Sequence, residues 1–150
     1  MPTFLRSLAT TFALFFALEA TASPGQEPMK VGAMIMPKVR LEVLQQAREI
    51  HISQADIDRG YLDLPAASRF TLRTNCPYHV EVHLLGELVR LVSVTGLSRN
   101  VEVGANGRQS VPGPITLETV LGVLGYRFEL SPGAKPGSYP WPIRMMVQPA

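Results

Sequence analysis

The chain is poor in three things, and each scarcity removes a class of protein. One cysteine, Cys76, stands in 150 residues, so no disulfide framework can hold the fold together. Charged residues make up 17% of the chain and leave a net charge of +2. After Arg6 the basic ones are scattered singly from Lys30 to Arg144, which is not the clustered pattern of a nucleic-acid or membrane-surface binder. No apolar run reaches the roughly 20 residues that a membrane-spanning helix needs. Helical periodicity is scarce as well, which argues against a bundle.

The longest apolar stretch is N-terminal. Phe12-Ala-Leu-Phe-Phe-Ala-Leu18 follows Arg6 and precedes Ala20-Thr-Ala22, the layout of a secretory signal peptide with its short apolar region and small-residue cleavage site. Cleavage is expected after Ala22, and Ala20 meets the same rule. Residues 1–22 are then the signal peptide, Ser23-Pro-Gly-Gln-Glu-Pro28 a flexible lead-in, and residues 29–150 a single domain of ordinary size. The expected location is periplasmic or extracellular, with no stable membrane span after cleavage. Cys76 is read as a buried small hydrophobe, with an intermolecular disulfide and a reactive thiol as the other readings.

Period-two patterning dominates the rest. Val39, Leu41 and Val43 alternate with Arg40 and Glu42, and Phe70 and Leu72 with Arg69, Thr71 and Arg73. Tyr78, Val80, Val82 and Leu84 alternate with His79, Glu81 and His83, and Tyr126, Phe128 and Leu130 with Arg127 and Glu129. One wet and one dry face per strand marks antiparallel sheets covered on one side. Weaker strands are expected over residues 31–36, 49–53, 61–64, 88–95, 100–103, 115–120 and 143–148. Residues 41–50 also admit a helix, but a strand through about Leu44 is preferred. Turn signals recur every 8–12 residues or so, the spacing of a sandwich or barrel. Asn106-Gly107 predicts a type I′ hairpin, while Val111-Pro-Gly-Pro114 and the segment from Ser131 to Gly137 interrupt pairing. Ser53-Gln-Ala-Asp56 has the form of a capping box and predicts one helical turn over residues 54–59.

Motifs for chemistry fail one by one. His79, Glu81 and His83 share a strand face, but His79 and His83 are about 13 Å apart along it, too far to close on one ion. Asp56-Ile-Asp58-Arg-Gly60 opens like a calcium loop, yet Ala67 stands where the closing glutamate belongs. No nucleophile elbow is present. The glycines from Val103 to Gly107 precede neither a helix nor a Lys-Ser/Thr pair, so they do not make a phosphate cradle. No catalytic residue, metal site or cofactor is therefore assigned. Tyr139-Pro-Trp-Pro142 is the one aromatic cluster suited to a ligand surface, although Tyr139 and Trp141 also suit a core anchor ahead of the last strand.

The order Pro37-x-x-x-Leu41-x-Val43, Asp56-Ile-Asp-Arg-Gly-Tyr61, Leu72-Arg-Thr-Asn75 leading to Tyr78, Tyr126-Arg-Phe128 and Pro136-Gly-Ser-Tyr139 resembles small secreted bacterial β-sandwich proteins. These are the spore coat protein U type and the chaperone-usher pilins. The resemblance implies an all-β fold, an immunoglobulin-like antiparallel Greek-key β-sandwich, and an envelope or surface-appendage role. Three features depart from that pattern: the lone Cys76, the short polar lead-in, and the lack of a tyrosine beside Ala150.

The expected function is a non-catalytic exported domain that engages a protein partner, or a second copy of itself, through strand edges or loops. Residues 29–36 would supply the extended segment, with Val31, Ala33 and Ile35 as alternate plugs; the same segment completing its own sheet is the rival reading. The alternative function is a periplasmic glycan- or peptide-binding module using Tyr139 and Trp141.

Overall fold

The computed structural model describes residues 32–150, so the expected signal peptide, the lead-in and Val31 lie outside the described residues. Residues 35–150 form one compact unit. Within it run β1 (Val39–Gln46), β2 (Glu49–Ile52), α1 (Gln54–Arg59), β3 (Tyr61–Thr74), β4 (Tyr78–Leu84) and β5 (Val89–Thr95). They are followed by β6 (Val101–Gly104), β7 (Arg108–Gly113), β8 (Val120–Leu130), β9 (Gly137–Pro140) and β10 (Ile143–Pro149). The fold is all-β, as the period-two patterning requires, and every strand pairing is antiparallel.

Strands β1-β3-β8-β5-β6 form the larger sheet, β10-β4-β7 a second, and β2-β9 a two-stranded ribbon. The dry faces of all three meet in one hydrophobic cluster. β4 shows the logic most plainly: Tyr78, Val80, Val82 and Leu84 are buried, while His79, Glu81 and His83 between them are half-exposed. Phe128 and Leu124 from β8 and Val92 and Val94 from β5 are fully buried. Trp141 meets Tyr126 and Phe128 edge-on, with ring centroids 5.1 and 5.7 Å away. No helix among the described residues is long and apolar enough to cross a membrane.

The helical turn forms as its sequence predicts. The Ser53 hydroxyl accepts from the Asp56 amide, and the Asp56 carboxylate accepts from the Ser53 amide at 2.9 Å. Gly60 ends the turn at φ +79°, a left-handed conformation that favours glycine.

Besides Val111-Pro112-Gly113, which pairs with β4 as the end of β7 instead of interrupting pairing, four local expectations are corrected. The two runs at residues 61–64 and 69–73 belong to one strand, β3, which carries an irregularity between Leu64 and Ser68 in its pairing with β8. Pro65 has no N–H to give the ladder and Ala66 sits at φ +57°, so the strand bulges there instead of ending. The Asn106-Gly107 turn closes no hairpin: β6 pairs with β5, and β7 with β4. Only Asn106 of the two takes positive φ, +53°, whereas a type I′ turn needs it at both. The turn thus carries the chain from one sheet to the other, held by Gly107 N–H donating to Gly104 O at 2.9 Å and Gly86 N–H donating to Asn106 Oδ1 at 3.1 Å.

The third correction concerns residues 115–119, which are not a strand. Thr116 is tied to Thr74 through both its backbone groups, which makes this segment a strap across the end of β3. The fourth concerns residues 32–36, which form no strand and whose side chains at Met34, Ile35 and Met36 are exposed. For β1 the strand reading holds, and the strand runs on to Gln46.

Candidate interaction edge

β8 is longer than the strand beside it. Its pairing with β3 runs from Val120 opposite Leu72 to Glu129 opposite Tyr61, but its pairing with β5 begins only at Gly125 opposite Thr95. Along residues 120–124 the β5 side of the strand carries no partner strand. Every second residue of an antiparallel strand turns its N–H and C=O to one side, so this half of β8 presents backbone groups as an edge strand does, up to Val123, whose carbonyl Gly96 covers.

Gly96 is the reason β5 stops there. It adopts φ +95°, and a Cβ on it would lie 2.0 Å from the Val123 carbonyl oxygen. The chain therefore turns hard against β8 and leaves. Ser98 Oγ then donates to Pro112 O at 2.9 Å, binding the departing loop to β7 of the second sheet.

Apolar side chains crowd this edge. Val120 is 46% exposed, Leu121 60% and Val123 38%, with Ile115 and Leu117 exposed on the neighbouring strap. Beneath them a cavity of about 140 Å³ opens between the two sheets, walled by Phe70, Leu72, Tyr78, Val80, Leu97 and Val111. Both aromatic rings lie close over glycine: a Cβ on Gly122 would meet the Phe70 ring at 2.2 Å, and one on Gly113 the Tyr78 ring at 2.1 Å. An apolar cavity of about 150 Å³ accommodates a benzene-sized group. The space under the edge therefore matches one branched aliphatic or aromatic side chain. Burial pushes the Tyr78 phenol above its ordinary range, so this wall stays uncharged at neutral pH.

No family model, curated protein or solved structure matches the chain. The site must be read from its own chemistry.

The residues singled out by sequence fall in different places. Ala33 and Ile35 lie on the unpaired segment, where Ile35 is 78% exposed and is followed by Met36 at 77%; Val31 lies outside the described residues. That segment is anchored at its base, where Asn75 Nδ2 donates to Met36 O at 3.0 Å and the Lys38 amide donates to Asn75 Oδ1 at 2.6 Å. Tyr139 and Trp141 both pack against the hydrophobic cluster. Tyr139 donates its hydroxyl to Lys135 O at 2.8 Å, and the Trp141 indole nitrogen is buried without a hydrogen-bond partner. Cys76, expected to be buried, is half-exposed in the turn just before β4.

Among the described residues no group of three or more histidines, cysteines or carboxylates is arranged to hold a metal. Glu81 and His83 meet at 3.2 Å as a pair. The edge itself was missed by sequence reasoning, although it left a trace. Val120-Leu-Gly-Val-Leu124 is apolar at every position that has a side chain, a pattern suited to a strand covered on both faces. The fold covers only one.

Proposed function

We propose that this is a non-catalytic, exported envelope or appendage domain that binds an extended apolar segment along the open half of β8. The observation that carries the reading is the coincidence of unpartnered backbone, exposed Leu121 and Val123, and an apolar cavity sized for one side chain. An added strand gains main-chain hydrogen bonds along its length and specificity from alternate side chains. Each large aliphatic side chain moved from water into such a site contributes about 1.5–3 kcal/mol.

The chain supplies a matching segment. Were residues 29–36 extended, the sequence would put Val31, Ala33 and Ile35 on one side, and the exposed Ile35 has the branched shape the cavity fits. Donated to a second copy, this segment would lie along β8 and insert one plug. The immunoglobulin-like Greek-key sandwich, and the likeness to secreted coat and pilus proteins, belong to the same proposal. Two features support them: the antiparallel sheets share one cluster, and the chain crosses between them at Asn106. Export rests on the signal-like residues 1–22.

Size-exclusion chromatography with light scattering, on protein secreted by a bacterial host, tests the reading. Oligomers that grow with concentration are expected, and both Ile35→Asp and Val123→Lys should return the monomer with an unchanged circular-dichroism spectrum. A wild-type chain that stays monomeric at every concentration contradicts self-donation. Intact mass starting at Ser23 is the expected result for export; an unprocessed mass contradicts it.

A further inference from the structure

The solvent face of the larger sheet carries a cationic depression over β1 and β3. The β1–β3 register sets Arg40 directly opposite Arg73. Like charges facing each other across an antiparallel pair are destabilising, so packing gives no reason for this pairing. Lys38 lies two residues before Arg40 on the same face, opposite Asn75, with which it exchanges hydrogen bonds. Lys38, Arg40, Arg73, Thr74, Asn75 and Leu117 line a depression of about 340 Å³, and no carboxylate is among them.

Among the described residues nothing neutralises these charges fully. Among the described residues, Lys38 and Arg73 have no carboxylate within 4 Å, and Arg40 reaches Glu42 only at 3.9 Å with both side chains largely exposed. Arg59, Arg90 and Arg127 each have a close acidic partner. Arg73 is also oriented in advance: its Nε donates to Leu117 O at 3.0 Å. That contact holds the guanidinium at the rim and uses none of its terminal nitrogens.

A second depression, of about 220 Å³, adjoins the first and shares Arg40 and Arg73 as a common wall. Its other lining residues are Glu42, Thr71 and Thr119. One compartment therefore offers cations, and the next offers hydroxyls with a single hydrogen-bond acceptor. A guanidinium fork matches a carboxylate or sulfate, while threonine hydroxyls and one carboxylate match the hydroxyls of a sugar ring.

We infer that Lys38, Arg40 and Arg73 bind the carboxylate of a uronate-containing oligosaccharide, whose hydroxyls extend over Thr71, Thr119 and Glu42. Leu117, 68% exposed, lies at the rim as an apolar contact for the ring. An acidic peptide is the less suitable ligand, since it brings no hydroxyl array to Thr71 and Thr119. Leu117 borders both sites, but the cations and threonines of this one take no part in the β8 edge, so either proposal stands or falls alone.

Isothermal titration of the full chain with tri-galacturonate at 20 and 200 mM NaCl tests it, beside neutral galactotriose, tetraglutamate and inorganic phosphate. Tri-galacturonate should bind at least tenfold more tightly than each of the other three, and its affinity should fall several-fold at the higher salt. Arg40→Gln and Arg73→Gln should each lower the affinity at least tenfold, Thr71→Val about threefold, and Lys135→Gln, away from the depression, not at all. Circular dichroism checks that each variant is folded. Absence of binding, equal binding of tetraglutamate or phosphate, or unchanged affinity in both arginine variants would overturn the assignment.

Discussion

The ribbon made by β3 and β8 has two halves, divided at the Pro65–Ala67 bulge, and they treat their surplus groups in opposite ways. In the first half, Tyr61–Leu64 face residues 126–129 of β8, and β5 flanks the pair. Every charge there has a partner: Arg127 clasps Asp63 through Nε at 2.7 Å and a terminal nitrogen at 3.0 Å, and Arg90 meets Glu129 at 2.8 Å. Arg59 pairs with Asp56, and the guanidiniums of Arg59 and Arg127 sit 5.5 and 4.9 Å from the Tyr61 ring. In the second half, residues 68–72 face residues 120–124, β1 covers one flank and the other is open. Here apolar side chains are exposed and cations face one another. One stretch of sheet thus shows both a surface that satisfies itself and a surface that leaves apolar and cationic groups exposed.

The largest expected difference between the halves is in packing. Phe128 is fully buried and stacks with Tyr126 at 5.7 Å, so Phe128→Ala should destabilise the fold by about 3–5 kcal/mol in urea unfolding. Leu121→Ala on the open half should change the monomer's stability by less than about 0.5 kcal/mol. A comparable loss at both positions would mean that the open half is core. Next comes the cap that leads into the closed half. Ser53→Ala removes the acceptor for the Asp56 amide and should cost about 1 kcal/mol, read in the same assay.

Acid should act on the closed half alone. The Ser53 hydroxyl and amide, and then Arg59, hold the Asp56 carboxyl below its ordinary value of 3.8. Arg127 does the same for Asp63. Carboxylates whose folded values are depressed contribute stability that is present above the unfolded value and is lost as pH falls through the folded one. Stability should therefore hold steady from neutrality to about pH 5 and decline below about pH 4. Asp63→Asn should flatten the decline only slightly, because that pair is largely exposed and screened. The smallest effect has the opposite sign. Arg40→Gln relieves the repulsion from Arg73 and should stabilise the fold by about 0.5 kcal/mol, while weakening acidic-sugar binding. A destabilised Arg40→Gln would mean that the arginine pair serves the sheet.

The closed half was legible in the sequence because its rules are local. Tyr126, Phe128 and Leu130 alternate with charged residues, and the Ser53–Asp56 box lies within four positions. The open half was legible only in fragments. That Val120-Leu-Gly-Val-Leu124 ends up without a cover depends on where β5 stops, which Gly96 decides some 25 positions earlier in the chain. The opposition of Arg40 and Arg73 depends on the β1–β3 register, and no spacing within either strand reveals it. The Asn106-Gly107 turn misleads for a related reason. Its local chemistry is that of a turn, but whether the flanking strands pair with each other or with β5 and β4 is decided by the sheets around it.

Hydrogen exchange at the backbone amides of residues 120–124, followed at rising protein concentration, bears most directly on the open edge. Amides that face β3 should be protected throughout. Those on the opposite side should exchange quickly in dilute wild-type protein, gain protection as concentration rises, and fail to gain it in Ile35→Asp. Fast exchange of the outward amides at every concentration would contradict strand addition at this edge, and full protection in the dilute monomer would show that the edge was never open.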